Sequence, residues 1–287
     1  MYDDAVYAER RLSARCRTRY RSAMNCSAKV GTNRIALRHR PIPLGLCVVV
    51  LGLAASGGAQ AQGRAELDDA AARAQYAFLT SDTRALEEVR DEVLQMSLQE
   101  NLQTLKSYQL AYTHWKTAQL SARRGSVARA SASKAAKACV DQAKRAVKQD
   151  GRFAEAYAVQ AICEDKPFAL EHSADGECER NRALRTAVAL APKNPRVKFI
   201  AALCAGPGQG DAPLARWREV VASFDDAPKP ESAVDDWGHA EALTLLAQAL
   251  LAQGQQVAAR DAVERALVMA PDYDVAQRVQ KSISEQH

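Results

Sequence analysis

Four cysteines, Cys139, Cys163, Cys178 and Cys204, lie in the main body of the chain, and Cys16, Cys26 and Cys47 lie near its start. Thiols can ligate a metal, attack as nucleophiles or form disulfides, and spacing separates these uses. Asp165, His172 and Glu177 stand near Cys163 and Cys178. No C-x-x-C or H-x-x-x-H spacing accompanies them, so no metal site is assigned. His39 belongs to the basic start, His114 to an aromatic stretch, His239 to a helix opening, and His287 ends the chain. None has a Ser, Cys or carboxylate at the spacing of a nucleophile and its base. Gly206-Pro-Gly-Gln-Gly210 lacks the lysine of a phosphate loop, and neither a dinucleotide fingerprint nor a haem motif occurs, so no cofactor is expected. The acidic pairs Glu87-Glu88 and Asp225-Asp226 read as solvated faces. Oxidation is the chemistry that remains, and four cysteines allow three complete pairings.

The compartment follows from the first sixty-one residues. An apolar block from Ile42 to Ala55 is preceded by Arg34, Arg38 and Arg40 and followed by Ala59-Gln60-Ala61. That order reads as a secretory signal cleaved after Ala61, and the block is shorter than the roughly 20 residues of a spanning helix. Met24 is a candidate start, since residues 1–23 precede an already complete signal. The net charge of +5 also belongs to this leader, which holds 10 Lys/Arg against 3 Asp/Glu. The remainder holds 29 against 31, which removes the main support for a nucleic-acid partner. No stable membrane span is expected after processing.

Helical periodicity governs the rest, with no strand-like alternation of useful length. Ala240 to Tyr273 fits a 34-residue helix-turn-helix template: Leu243, Leu246 and Ala247 on the first helix, Gly254 at the turn, Ala259, Val263, Ala266 and Leu267 on the second, Pro271 at the exit. That is close to the tetratricopeptide (TPR) pattern. Small residues at Ala247 and Ala259 let the helices approach, and Pro271 stops the second. The expected class is an all-α, TPR-like α-solenoid of antiparallel helix pairs. The expected division is a leader at 1–61, a degenerate helical unit at 62–103, four helix pairs at 104–273 and a capping helix at 274–287.

The template also places side chains. Cys163 falls at position 10 of its repeat and Cys178 at position 18, which face each other, so a Cys163–Cys178 disulfide is expected; Cys139 and Cys204 fall in other repeats and read as small apolar residues. Positions 2, 5 and 9 of the first helices should line a concave groove. They hold Glu155, Ala158 and Ile162, then Arg196, Phe199 and Leu203, then Glu241, Thr244 and Gln248. Tyr108, Tyr112 and Trp115 share one helical face and read as core, whereas Phe199 reads as a groove anchor.

Phe153-Ala-Glu-Ala-Tyr157, Ala187 to Pro192 with Asn194-Pro195-Arg196-Val197, and Asp236-Trp-Gly-His-Ala-Glu241 resemble an exported group of bacterial TPR-like proteins without an established activity. The resemblance covers roughly Leu105 to Asp274 and implies fold and export. Solenoids of this kind bind peptides or partner surfaces, so the leading expectation is a periplasmic, non-enzymatic scaffold or adaptor for a protein or peptide. The alternatives are a structural subunit of an envelope complex and an envelope hydrolase with an unrecognised site. The groove positions lack the Lys and Asn pattern that clamps a C-terminal carboxylate.

Overall fold

The computed structural model describes residues 47–124, 128–165, 178–206 and 211–285, with side chains from 61 onward. The leader through residue 46, His172, Glu177 and Pro207 to Gly210 lie outside the described residues. Eleven α-helices and no strand are present among the described residues: α1 (Cys47–Leu79), α2 (Thr83–Gln95), α3 (Gln103–Arg123), α4 (Arg129–Gln149), α5 (Ala154–Glu164), α6 (Arg182–Leu190), α7 (Pro195–Cys204), α8 (Ala212–Asp225), α9 (His239–Ala252), α10 (Gln256–Met269) and α11 (Asp274–Ser284). None of the described helices is long and apolar enough to cross a membrane.

Local signals set the helix ends. The Asp82 carboxylate accepts the Ala85 N–H at 2.9 Å and opens α2. Asn194 caps α7 by accepting from Arg196 and Val197, and Pro195 occupies the first turn, where its missing N–H is not needed. Gly254 turns α9 into α10 at φ +71°, a conformation a side chain would strain. Alanines make the seams thin: Ala132, Ala135, Ala136, Ala143 and Ala146 of α4 are buried, which lets α4 lie close along α3.

From α2 onward each helix packs on the next, and α3 on α5, α5 on α7 and α9 on α11 also touch. First helices therefore stack on one another from α3 to α7 and again from α9 to α11, in the manner of a solenoid. The aromatic helix α3 departs from an ordinary amphipathic element because residues on every side of it are buried, including Ser107, Gln109, Thr113, Lys116, Thr117 and Ser121. Thr113 and Thr117 satisfy their hydroxyls by donating to the carbonyls of Gln109 and Thr113, at 2.8 Å each. Burial of Tyr108, Tyr112 and Trp115 agrees with their reading as core.

The disulfides differ from the expected pairing. Cys139 joins Cys163, with Cα atoms 6.1 Å apart, and Cys178 joins Cys204, at 4.9 Å. Each bond links one repeat to its neighbour instead of closing a single hairpin. Counting back from Pro192 treats Cys178 as a helical residue, but α6 opens only at Arg182, capped by Asn181. Cys178 thus sits in the approach to the helix, against the α5 carbonyl of Ala161 at 3.6 Å, and is free to reach the end of α7. Cys163, at the end of α5, faces α4 across the repeat boundary. Peptide mapping of oxidised, unreduced protein is expected to recover these two cross-links, and reduction to cost about 3–4 kcal/mol for each loop of 24 or 26 residues opened. Recovery of a Cys163–Cys178 peptide would reinstate the single-hairpin bond.

Candidate functional site: the concave face

The position-2 residues of three successive repeats converge on α3. Glu155 opens α5, Arg196 opens α7 and Glu241 opens α9. The Glu155 carboxylate accepts from Arg196 at 2.7 Å, from Asn194 Nδ2 at 2.6 Å, and from the Tyr108 hydroxyl at 3.2 Å. Trp237 Nε1 then donates to that hydroxyl at 3.1 Å, and Arg196 Nη1 donates to the Asp235 carbonyl at 2.5 Å. Such pairing offsets the desolvation penalty that would otherwise drive a buried carboxylate to protonate. Burial lowers the Arg196 pKa, but the Glu155 charge and hydrogen bond outweigh it and hold it above the ordinary value. Burial, reinforced by Glu155, drives the Tyr108 phenol well above its usual range.

The second convergence is an ion pair. Lys116 of α3, with no exposed surface, meets Glu241 of α9 at 2.6 Å. Its ammonium lies 3.9 Å from the Trp115 ring centroid and 4.1 Å from that of Phe78 on α1, with Tyr112 and Trp237 also within reach. Rings replace part of the lost hydration through their negative faces. Burial nevertheless lowers the Lys116 pKa to about 8, opposed by Glu241.

Around these polar contacts stands an aromatic cluster. Trp237 packs against Tyr112, Trp115 and Phe199 at centroid distances of 5.4, 5.6 and 6.1 Å, and Phe199 meets Trp217 at 5.9 Å. Gly238 follows Trp237 at φ +96°, and a Cβ there would come within 3.0 Å of Phe224. The bend that delivers Trp237 inward therefore requires glycine.

Helix α1 completes the enclosure. Its buried residues Leu67, Ala70, Ala74 and Phe78 recur at helical spacing. Gln75 accepts from the Tyr112 hydroxyl and Asp68 from the Ser232 hydroxyl. Tyr76 donates to Asp272 at 3.0 Å and Ser81 to Asp274 at 2.8 Å. This end of the chain thereby touches α3, the segment before α9 and the start of α11.

The expected groove is consequently not an open one. Glu155, Ala158, Ile162, Phe199, Glu241 and Thr244 are buried, and Arg196 and Leu203 are partly covered. These positions do face inward, but α3, Trp237 and α1 occupy the space, which a repeat-by-repeat template cannot include. Phe199, 1 % exposed, is core and not a partner anchor. Gln248 alone of the nine is exposed. It lines a cleft of about 500 Å³ between α9 and α11 with Leu251, Val275, Arg278 and Val279. Helical spacing places Phe78 on an apolar face and Trp237 at a helix entry without assigning them to this site, and Lys116 is marked only by its place directly beside the Tyr108, Tyr112 and Trp115 stripe.

His239 stacks on Phe224 at 5.0 Å and pairs with Asp225 at 3.2 Å. Burial lowers its pKa against the pull of Asp225. Among the described residues no group of three potential ligands is placed to hold a metal ion.

Stacked antiparallel pairs with inward-facing first helices define the class: a TPR-like, all-α solenoid. No family model and no curated protein matches the chain. Among solved structures it is similar to the crystal structure of a thermophilic TPR protein of Thermus thermophilus, with 16 % identity, a TM-score of 0.41, and coverage of 70 % of this chain and 88 % of that one.

Proposed function

We infer that this chain is a protein-binding scaffold of the cell envelope, exported by its leader, matured after Ala61, and engaging its partner through the part of the concave face that the protein's own helices leave uncovered. The carrying observation is the cleft between α9 and α11. Gln248, Leu251 and Val275 there present polar and apolar groups along the seam where α11 stacks on α9. Arg278 stands at its edge, salt-bridged to Asp274 at 2.5 Å. An apolar floor with a charged rim is the pattern of a small protein-binding surface. Two disulfides joining successive repeats are compatible with an extracytoplasmic site of action. The adaptor reading is supported by this surface, and catalysis forms no part of it.

The test compares baits. Oxidised mature protein beginning at Gln62 is immobilised and exposed to envelope extract beside Leu251→Glu and Val257→Glu, the latter at a position of α10 that is 87 % exposed. A protein retained by the parent and by Val257→Glu, but reduced at least about tenfold by Leu251→Glu, is the expected result. Identical retention by all three baits would remove this cleft as the binding surface.

A further inference from the structure

A second concavity lies where α1 meets the last helix pair, and it differs in chemistry from the α9–α11 cleft. Ala72 and Tyr76 of α1 form one wall, and Met269 and Pro271 form the other. Tyr76 is 59 % exposed and Met269 50 % exposed, although both border an otherwise apolar recess. Its polar lining residues include Gln75, Asp236 and Asp272, and among the described residues no Lys, Arg or His lines it. Asp272 accepts only the neutral Tyr76 hydroxyl, at 3.0 Å. Two neighbouring acids of α1 and α11 are neutralised instead, Asp69 by Arg73 and Asp274 by Arg278. Among the described residues neither carboxylate forms an ion pair, although the Asp236 charge acts on His239; set beside an exposed ring, they favour a cation.

Size narrows the occupant. The recess holds about 260 Å³, below the roughly 300–1,000 Å³ of ordinary small-molecule pockets. It suits one long side chain entering from a larger molecule. A planar guanidinium can stack on Tyr76 while donating to a carboxylate, and its methylene stem can lie along Met269 and Ala72; the compact ammonium of lysine satisfies only the charge. We propose that this recess between α1 and the α10–α11 junction receives an arginine side chain of a protein partner, held by Asp236 and Asp272 and stacked on Tyr76. The inference rests on the scaffold reading only in taking the partner to be a protein.

The probe is an acetylated Gly-Ala-Arg-Ala-Gly amide, with its citrulline counterpart as an uncharged isostere, titrated into isotopically labelled, oxidised mature protein. Backbone amides of Ala72, Tyr76 and Met269 are expected to shift with the arginine peptide, with the citrulline peptide binding at least about tenfold more weakly. Asp236→Asn and Asp272→Asn should each weaken the interaction, and the double variant should abolish it. Asparagine still accepts the Tyr76 hydrogen bond, and the amide spectrum itself reports that the fold persists. Asp141→Asn, on exposed α4 surface, should leave binding unchanged. Equal shifts with citrulline, equal weakening by Asp141→Asn, or no shift at these amides would overturn the assignment. None of those outcomes bears on the sensitivity of a captured partner to Leu251→Glu, so the two readings fail separately.

Discussion

Lys116→Ala is expected to destabilise the protein by about 3–5 kcal/mol, because it leaves Glu241 charged, buried and without its partner. Among the described residues the Glu241 Oε2 atom has no hydrogen-bond partner even in the intact pair, so its carboxylate depends on Lys116 for compensation. Lys116→Met keeps an apolar stem among Phe78, Trp115 and Tyr112 and should be nearly as damaging, which separates lost charge from lost packing. Adding Glu241→Gln to Lys116→Met should restore much of the loss, since replacing both members of a buried pair is commonly near neutral. Urea unfolding of the oxidised parent, Lys116→Met, Glu241→Gln and the double variant supplies the cycle. A Lys116→Ala loss below about 1 kcal/mol would place this pair among weak, water-screened contacts.

The same pair has a signature in pH. The folded pKa of Lys116, about 8, lies below its ordinary 10.5. Between those values the unfolded chain binds the proton and the folded chain has lost it, so this group makes stability rise with pH. Tyr108 and Tyr112 have pKa values raised well above 10 by burial, so their contribution is lost as pH climbs past 10. The rising segment is therefore expected from about pH 8 to 10, and it should disappear in the Lys116→Met/Glu241→Gln protein.

Phe199→Ala is expected to cost a further class of stability, about 3–5 kcal/mol, by opening a cavity between Trp217 and Trp237. Position 5 of a first helix looks toward the concave side in any stack of helix pairs, and on that basis Phe199 reads as a partner anchor. Here the concave side at that level is filled by Trp237 and α3, so the ring has no solvent to face. Thermal unfolding of oxidised protein decides the matter. A melting temperature within a degree or two of the parent would mean that Phe199 is accessible, and the enclosure described for this face would fail with it.

Helix pairs were legible because they are local. Apolar residues at three- and four-residue intervals, alanines at the close seams, Gly254 at a turn and Pro271 at an exit act within one repeat, and α9 and α10 form where those signals lie. The Tyr108, Tyr112 and Trp115 stripe could likewise be assigned to the core from its spacing alone. Lys116 carries only the weaker signal of its place beside that stripe, since a lysine on a helix ordinarily points to water; its partner Glu241 is distant in the chain. The disulfide partners depend on tertiary structure for a related reason. A cysteine at a helix end can face its own hairpin or the next repeat, and the start of α6 at Arg182 turned Cys178 toward the second choice.

The sequence by itself determined an all-helical, repeat-built chain, its inward-facing positions and its buried aromatic face, because each follows from periodicity over a few turns. Only the tertiary structure decided what those inward positions meet. Glu155, Arg196 and Glu241 share a template position but find different partners: α3 supplies Tyr108 to Glu155 and Lys116 to Glu241, Arg196 turns to Glu155, and Phe78 of α1 closes over Lys116. Which helix fills a concave surface depends on how successive repeats turn against one another. That rotation accumulates from many side-chain contacts between repeats, and no window of the sequence as long as one repeat contains it.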